Sequence, residues 1–305
     1  MTIHPDVHWV VRSVGERTTE AALTLVREAA GGAPVQLIQQ TPFTRAVRAT
    51  WEGGQTSEKT WTVCVDADVL CDPIALRRLV DEARATGPEV FCVQGQILDY
   101  LIPIRRPAGI HLYRNAFAPR ALPLIPESGQ SKRPESFVNE ALIDRGHIFR
   151  QSNTIIGLHD FFQDVEDLYR KGLVHAKKHT DVWDHLVVAW RERAKTEPDI
   201  RVAMMGAHAA KATDEPLRID PGYAADRRRA DLRAEGIVPK PPLPVAEVTS
   251  DRVRQLMLEF VVDDFLQPRK FTRWEDPYEL GRPASPPPTR LTRLYRRVRR
   301  KLRRL

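Results

Sequence analysis

The segment Trp61-Thr62-Val63-Cys64-Val65 is a near-continuous apolar run that ends on Asp66-Ala67-Asp68. A strand without polar alternation is buried on both faces, and such strands belong to parallel sheets covered by helices. The flanking segments supply those helices. His8-Trp9-Val10-Val11-Arg12 reads as a strand, followed by a helix from about Thr18. Thr18 or Thr19 can cap it, and Ala22, Leu25, Val26 and Ala29 form one stripe. Gly31-Gly32 ends it. Val35-Gln36-Leu37-Ile38 reads as a second strand, and residues 42–53 as a short helix opened by Pro42. Asp72 and Pro73 then start a helix whose buried stripe is Leu76, Leu79, Val80 and Ala83, and Val90-Phe91-Cys92-Val93 begins another strand. This β-α-β-α-β order predicts an α/β fold with a mostly parallel sheet flanked by helices.

The second half reads as more helical. Gly109-Ile110-His111-Leu112-Tyr113 is expected as a strand and residues 134–146 as a helix begun by Pro134. Ile155-Ile156-Gly157-Leu158-His159 is a short apolar stretch. Residues 160–195 and 251–266 carry helical stripes. Pro286-Pro287-Pro288 reads as a stiff spacer.

Charge is unevenly placed. Across 305 residues the balance is 47 − 40 = +7, yet residues 290–305 hold eight Arg and one Lys with no acid. The other 289 residues therefore sum to 7 − 9 = −2. Leu291, Leu294, Tyr295, Val298, Leu302 and Leu305 fall at helical spacings within that basic tail. A basic amphipathic helix suits an anionic membrane surface. Nucleic acid attracts such charge as well but does not require the apolar stripe, so no nucleic acid is expected. No run approaches the 18 apolar residues of a membrane span, and the N-terminus lacks the pattern of a secretory signal. Cys64, Cys71 and Cys92 form no CxxC pair, which suits a reducing cytoplasm. The expected location is cytoplasmic, with residues 289–305 on the inner face of the membrane.

Asp66 and Asp68 sit beyond the end of a buried strand, where open α/β sheets bind ligands. Paired carboxylates suit Mg²⁺ or Mn²⁺, and the ion would hold a diphosphate that bare aspartates repel. The plainer alternative is a solvated strand-to-helix loop.

Val11-Arg12-Ser13-Val14-Gly15-Glu16-Arg17-Thr18, the second strand, and the strand ending in Asp66-Ala67-Asp68 together resemble the nucleotide-sugar-binding half of a GT-A glycosyltransferase, near family 2. The resemblance is best over about residues 8–115. It implies that Arg12, Ser13, Glu16 and Arg17 hold the nucleotide, with Asp66 and Asp68 on the metal and diphosphate. It also implies a late metal-binding histidine, for which His159 is the candidate. It suggests a catalytic unit over 1–200 with an acceptor half at about 116–200, a helical extension over 201–285, and a spacer and tail over 286–305. The acidic cluster that many members carry after the second strand is missing, since Gln39-Gln40-Thr41-Pro42-Phe43 stands there. The Gln-x-x-Arg-Trp signature is missing too, and Arg273-Trp274 comes too late. These departures favour a single-sugar transferase, or an uncharacterised branch, over a polymerising one; the expected acceptor is a glycan or lipid-linked saccharide.

An inverting transfer needs a carboxylate to take the acceptor proton. Glu135, in Arg133-Pro134-Glu135-Ser136, is the expected base, with Asp99 and Glu127 as rivals. A glutamate in the first helical turn is also favoured by the helix dipole alone. His175 and His179, with Lys177 and Lys178, read as a solvated helix face, and Asp263-Asp264 as surface charge. Trp9, Trp61, Trp183 and Trp190 read as core or rim. Two other functions fit the same motif. One is a haloacid-dehalogenase-type phosphohydrolase with Asp66 as nucleophile and Asp68 as acid/base. The other is a nucleotide-sugar-binding protein without catalysis.

Overall fold

The computed structural model describes residues 4–131, 133–180, 182–264, 266–267 and 278–281. Strand β1 (Val7–Ser13) lies between β2 (Val35–Gln39) and β3 (Trp61–Asp66) and pairs with both in parallel. Helix α1 (Thr19–Ala30) joins β1 to β2, and α2 (Phe43–Thr56) joins β2 to β3. The chain thus leaves β1 on one side and returns on the other. Between the carboxyl ends of β1 and β3 this opens the crevice where doubly wound sheets take ligands.

Beyond β3 the strand directions mix. Strand β4 (Val69–Cys71) and helix α3 (Pro73–Arg84) precede β5 (Val90–Asp99), β6 (Arg105–Pro107) and β7 (Ile110–Arg114). Short α4 (Ala118–Ala121) and α5 (Pro134–Ile143) lead into β8 (Ile148–His159). The sheet order is β2-β1-β3-β7-β5-β8-β4, with β6 on β5 and β9 (Tyr278–Leu280) on β8. Strand β7 is antiparallel to both β3 and β5, β4 is antiparallel to β8, and β5 is parallel to β8. The α/β class and the flanking helices are as expected, but the sheet is mixed rather than mostly parallel. The cause is local. The chain between β5 and β7 contains no helix to carry it across the sheet, so it returns antiparallel.

Strand β3 shows why its run is apolar throughout. Trp61, Val63 and Val65 pack with Leu25, Val26, Leu76 and Leu79 of α1 and α3. Cys64 points the other way, into a core with Trp51 of α2 and Leu142 of α5. Both faces are buried, as period-two alternation then requires. Trp9 and Trp61 lie in the first core.

A further core gathers Leu101, Ile104 and four helices: α6 (Val165–Lys178), α7 (Trp183–Arg193), α8 (Pro198–Ala209) and α9 (Ala225–Ala234). The helix expected over 160–195 is therefore two helices, α6 and α7. The boundary expected near residue 200 falls inside their shared core. Helices α6 and α8 cross at glycines. A Cβ at Gly172 would overlap the carbonyl oxygen of Ala203, and one at Gly206 that of Tyr169. Helix α10 (Ser250–Glu259), shorter than the 251–266 expected, returns Val253 to the first core. Its Arg254 donates to Asp72 at 2.9 Å. Residues 201–259 thus complete two cores rather than forming a separate extension. Arg273-Trp274, the proline spacer and the basic tail lie outside the described residues.

Candidate functional site

In the β1–β3 pairing Arg12 lies opposite Asp66 at the strand ends. Arg12 is 3% exposed. Its Nε donates to Asp66 Oδ1 at 2.8 Å and its Nη1 to Glu135 Oε1 at 2.8 Å. Tyr113 Oη donates to the same Glu135 oxygen at 2.7 Å, and His111 Nδ1 lies 3.4 Å away. The chain of polar groups continues inward. Gln94 Nε2 donates to His111 Nε2 at 2.8 Å, and Gln151 Nε2 donates to Gln94 Oε1 at 3.0 Å.

One guanidinium here serves two carboxylates. Burial would raise Glu135, but Arg12 and His111 outweigh it and hold its carboxyl at about 2. Asp66 goes the other way. Burial, with Glu135 and Asp68 beside it, pushes Asp66 up to about 7 in spite of Arg12. Glu135 is therefore a weak base with both donors aimed at one oxygen. Held this way, Glu135 suits positioning Arg12 better than the proton abstraction expected of it. Asp99, a rival for that role, is fully buried and bound by Arg106 Nε at 2.7 Å.

Asp68 faces different partners. Ala67 and Asp68 form the turn between β3 and β4. Lys171 of α6 donates to Asp68 Oδ2 at 2.7 Å and also bonds Asp160. His159 ends β8 with its Nε2 3.6 Å from Asp68 Oδ2 and its Nδ1 3.2 Å from both Asp99 and Asp160. Burial would raise Asp68, yet Lys171 and His159 overcome it and keep the carboxyl below the usual range. Burial would lower His159, but Asp160 and Asp68 push its imidazole up to about 10. Asp160 and Phe162 hold left-handed backbone, at φ 66° and 58°. An aspartate tolerates this well and a phenylalanine poorly, so the turn after β8 is strained beside the site.

The loop after β1 is bonded within itself. Ser13 Oγ and the Val14 N–H donate to Glu16 Oε2, both at 2.8 Å. The Gly15 N–H donates back to Ser13 Oγ at 2.9 Å. Arg17 donates to the carbonyls of Pro241 and Phe162, tying this loop to the later chain. Thr18 occupies the N-cap position of α1 without capping it. Its Oγ1 donates to the Ala67 carbonyl at 2.7 Å and accepts from Gln163 Nε2 at 3.1 Å. The threonine thereby fixes the turn that carries Asp68.

The structure brings Arg12 and Asp66 together, and separately Asp68 and His159. It does not gather Asp66, Asp68 and His159 about one point. The ligand atoms of Asp68, His159 and Asp160 do lie within 4.8 Å of one another. Imidazole with carboxylates is a donor set that suits Mn²⁺. But Lys171 already bridges two of the three, and Asp66 is held by Arg12. As arranged, these residues do not fit a divalent ion.

Sequence reasoning missed Lys171, Asp160, Arg106 and Tyr113. Asp160 was within sight, next to His159. The others carried no local signal. The His175–His179 pair also differs from expectation: both residues are buried, with rings 5.1 Å apart. Burial drives His175 down to about 3, against the opposing pull of Asp99 and Asp160. Asp263 lies past the end of α10, where its Oδ1 accepts from the Leu266 N–H at 2.9 Å.

No family model and no curated protein matches this chain. Solved structures do. One is a glycosyltransferase involved in glycosylation of the major capsid of PBCV-1, at 12% identity and a TM-score of 0.32, over 45% of this chain and 75% of that one. Another is CMP:2-keto-3-deoxy-manno-octonic acid synthetase complexed with CTP, at 14% identity and a TM-score of 0.32, over 48% of this chain and 88% of that one. Likeness at this level carries no argument about the chemistry of the site.

Proposed function

We propose that this chain transfers a sugar from a nucleotide-diphosphate donor to a glycan or lipid-linked acceptor. The observation that carries the reading is the pairing of Arg12 with Asp66 at the carboxyl ends of parallel strands β1 and β3. The crevice there is a topological switch point, flanked by the Ser13–Arg17 loop and by the Asp68 turn. Asp68 keeps one buried oxygen, Oδ1, with no hydrogen-bond partner among the described residues. A hydroxyl of the donor would satisfy it. The acceptor side is supported by a cavity of about 570 Å³ lined in part by Tyr100, Phe161, Phe260 and Arg193. Tyr100 and Phe161 directly follow Asp99 and Asp160, and their rings lie 5.1 Å apart. Aromatic faces of this kind suit sugar rings.

In this reading the protein orients the leaving diphosphate and supplies preorganised positive charge as it departs. The sequence expectation gives that charge to Mn²⁺ or Mg²⁺; in this reading the Lys171 ammonium, bonded to Asp68, would supply it. Membrane action at the cytoplasmic face rests on the basic amphipathic pattern of residues 289–305 alone. No helix among the described residues is long and apolar enough to cross a membrane.

The test is a turnover screen with UDP-, GDP- and dTDP-sugars, with CMP-sugars as the monophosphate control, read as released nucleotide. One donor should be consumed, and Asp68→Asn should lose that activity while keeping the fold. A phosphoenzyme trapped on Asp66 would instead establish the phosphohydrolase. That outcome is disfavoured because Arg12 holds Asp66 Oδ1 from two nitrogens, Nε at 2.8 Å and Nη2 at 2.7 Å.

A further inference from the structure

Lys171 is 9% exposed, and its ammonium bonds Asp68 and Asp160 together. Those two carboxylates, with His159, are the groups that converge as ion ligands. A charge carried by the chain therefore stands between the oxygens that an added cation would need. Its position is built in. Lys171 precedes Gly172, where α6 meets the Ala203 carbonyl of α8 without room for a Cβ. Asp160 is 1% exposed, and if Lys171 swung away it would keep only His159, whose Nδ1 lies 3.2 Å off and is shared with Asp99. An ammonium has three N–H donors, and two are spent on these carboxylates. The third is left to meet an incoming oxygen.

We propose that Lys171 is the resident cation of this site, so that a nucleoside diphosphate binds here without a divalent ion. The inference rests on the nucleotide-sugar reading above and decides what neutralises the diphosphate within it. Arg12 plays the matching part for Asp66, so neither aspartate of the pair meets the donor as a bare charge. The corollary is that removing the lysine creates what the native site lacks. With Lys171 gone, Asp68, His159 and Asp160 are freed to coordinate Mn²⁺.

Calorimetry on the full chain tests this, with UDP, GDP, CDP and dTDP as probes, each in EDTA and in Mn²⁺. The wild-type affinity should differ by less than about twofold between the two conditions. Lys171→Met should bind about tenfold more weakly in EDTA, the scale of one lost charge-assisted hydrogen bond, and recover in Mn²⁺. It should also bind Mn²⁺ directly with no nucleotide present, which the wild type should not. Lys171→Arg should behave as the wild type. A wild type that binds a nucleoside diphosphate only with Mn²⁺ overturns the proposal. So does a Lys171→Met protein that matches the wild type in EDTA. If circular dichroism shows Lys171→Met unfolded, the wild-type comparison and a Mn²⁺ titration of the wild type decide alone. A wild type that binds none of the four probes under either condition defeats the nucleotide-sugar reading itself, and the inference with it.

Discussion

Asp66 and Asp68 are two residues apart and live in opposite electrostatic surroundings. Around Asp66 a single cation, Arg12, is shared with Glu135. Around Asp68 the cations Lys171, Arg106 and protonated His159 face Asp68, Asp99 and Asp160. The first cluster is short of one positive charge and the second is balanced. That difference sends the two carboxyls in opposite directions, Asp66 up and Asp68 down. A DxD pair is therefore two sites, not one. What separates them is the end of β3 at Asp66, after which the chain turns and Asp68 swings toward α6.

The sharpest way to break this comparison is to remove the shared cation. Arg12→Met leaves the part-buried Asp66 and Glu135 against each other, with only the His111 imidazole beside Glu135. Breaking a buried ion pair from one side costs about 3–5 kcal/mol. The expected result is a lower urea midpoint with an unchanged slope. A loss below about 1 kcal/mol would show that Arg12 does not hold the cluster together.

The Asp68 cluster can be disturbed without touching any of its charges. Gly206→Ala places a methyl against the Tyr169 carbonyl of α6. Overpacking a close helix crossing costs about 1–3 kcal/mol. The shift also moves Lys171, two residues along α6 from that contact, so nucleotide affinity should fall with the melting temperature. Glu135 and Arg12 lie off this helix, so their bonds should persist. A variant that melts lower yet binds nucleotide unchanged would uncouple α6 packing from the site.

How much of this was legible in the sequence follows the range of the interactions. Strand β3 and the placement of both aspartates came from a local apolar run and its end. Asp72 was read as a cap from its neighbour Pro73, and its side chain accepts from the Ile74 and Ala75 N–H groups. Arg12 and Glu135 stand out singly in the sequence, but their mutual bond spans 123 residues and leaves no local trace. Lys171 lies 103 residues from Asp68 and looked like any helical lysine. The burial of His175 and His179 is hidden for the same reason. A stripe of His and Lys looks solvated until Trp190 of another helix covers it, here with ring centroids 6.4 Å from His175. Thr18 shows the limit most plainly. It sits where a cap belongs, and tertiary structure claims its hydroxyl for the Ala67 carbonyl instead. The split of residues 160–195 into α6 and α7 was hidden because both halves carry apolar stripes into one core.

The smallest expected effect separates the two aspartates most directly. Asp66, at about 7 in the fold against an ordinary 3.8, holds a proton that the unfolded chain has released. Between those values the folded state binds more protons, so stability falls as pH rises and levels off above about 7. Asn cannot ionise and escapes that loss. Asp66→Asn should match the wild type below about pH 4 and exceed it by about 1 kcal/mol at pH 8, a value kept low because the side chain is one-quarter exposed. Asp68 carries the opposite sign. Its folded carboxyl lies below 3.8, so its contribution is present above that value and is lost as the solution is acidified. Asp68→Asn should therefore be less stable than the wild type at pH 8, with the gap closing below about pH 4. Urea midpoints of the three proteins across this range should fan apart toward high pH, Asp66→Asn above the wild type and Asp68→Asn below it. Parallel curves for the two variants would mean that the carboxyls share one environment and that the division drawn between them fails.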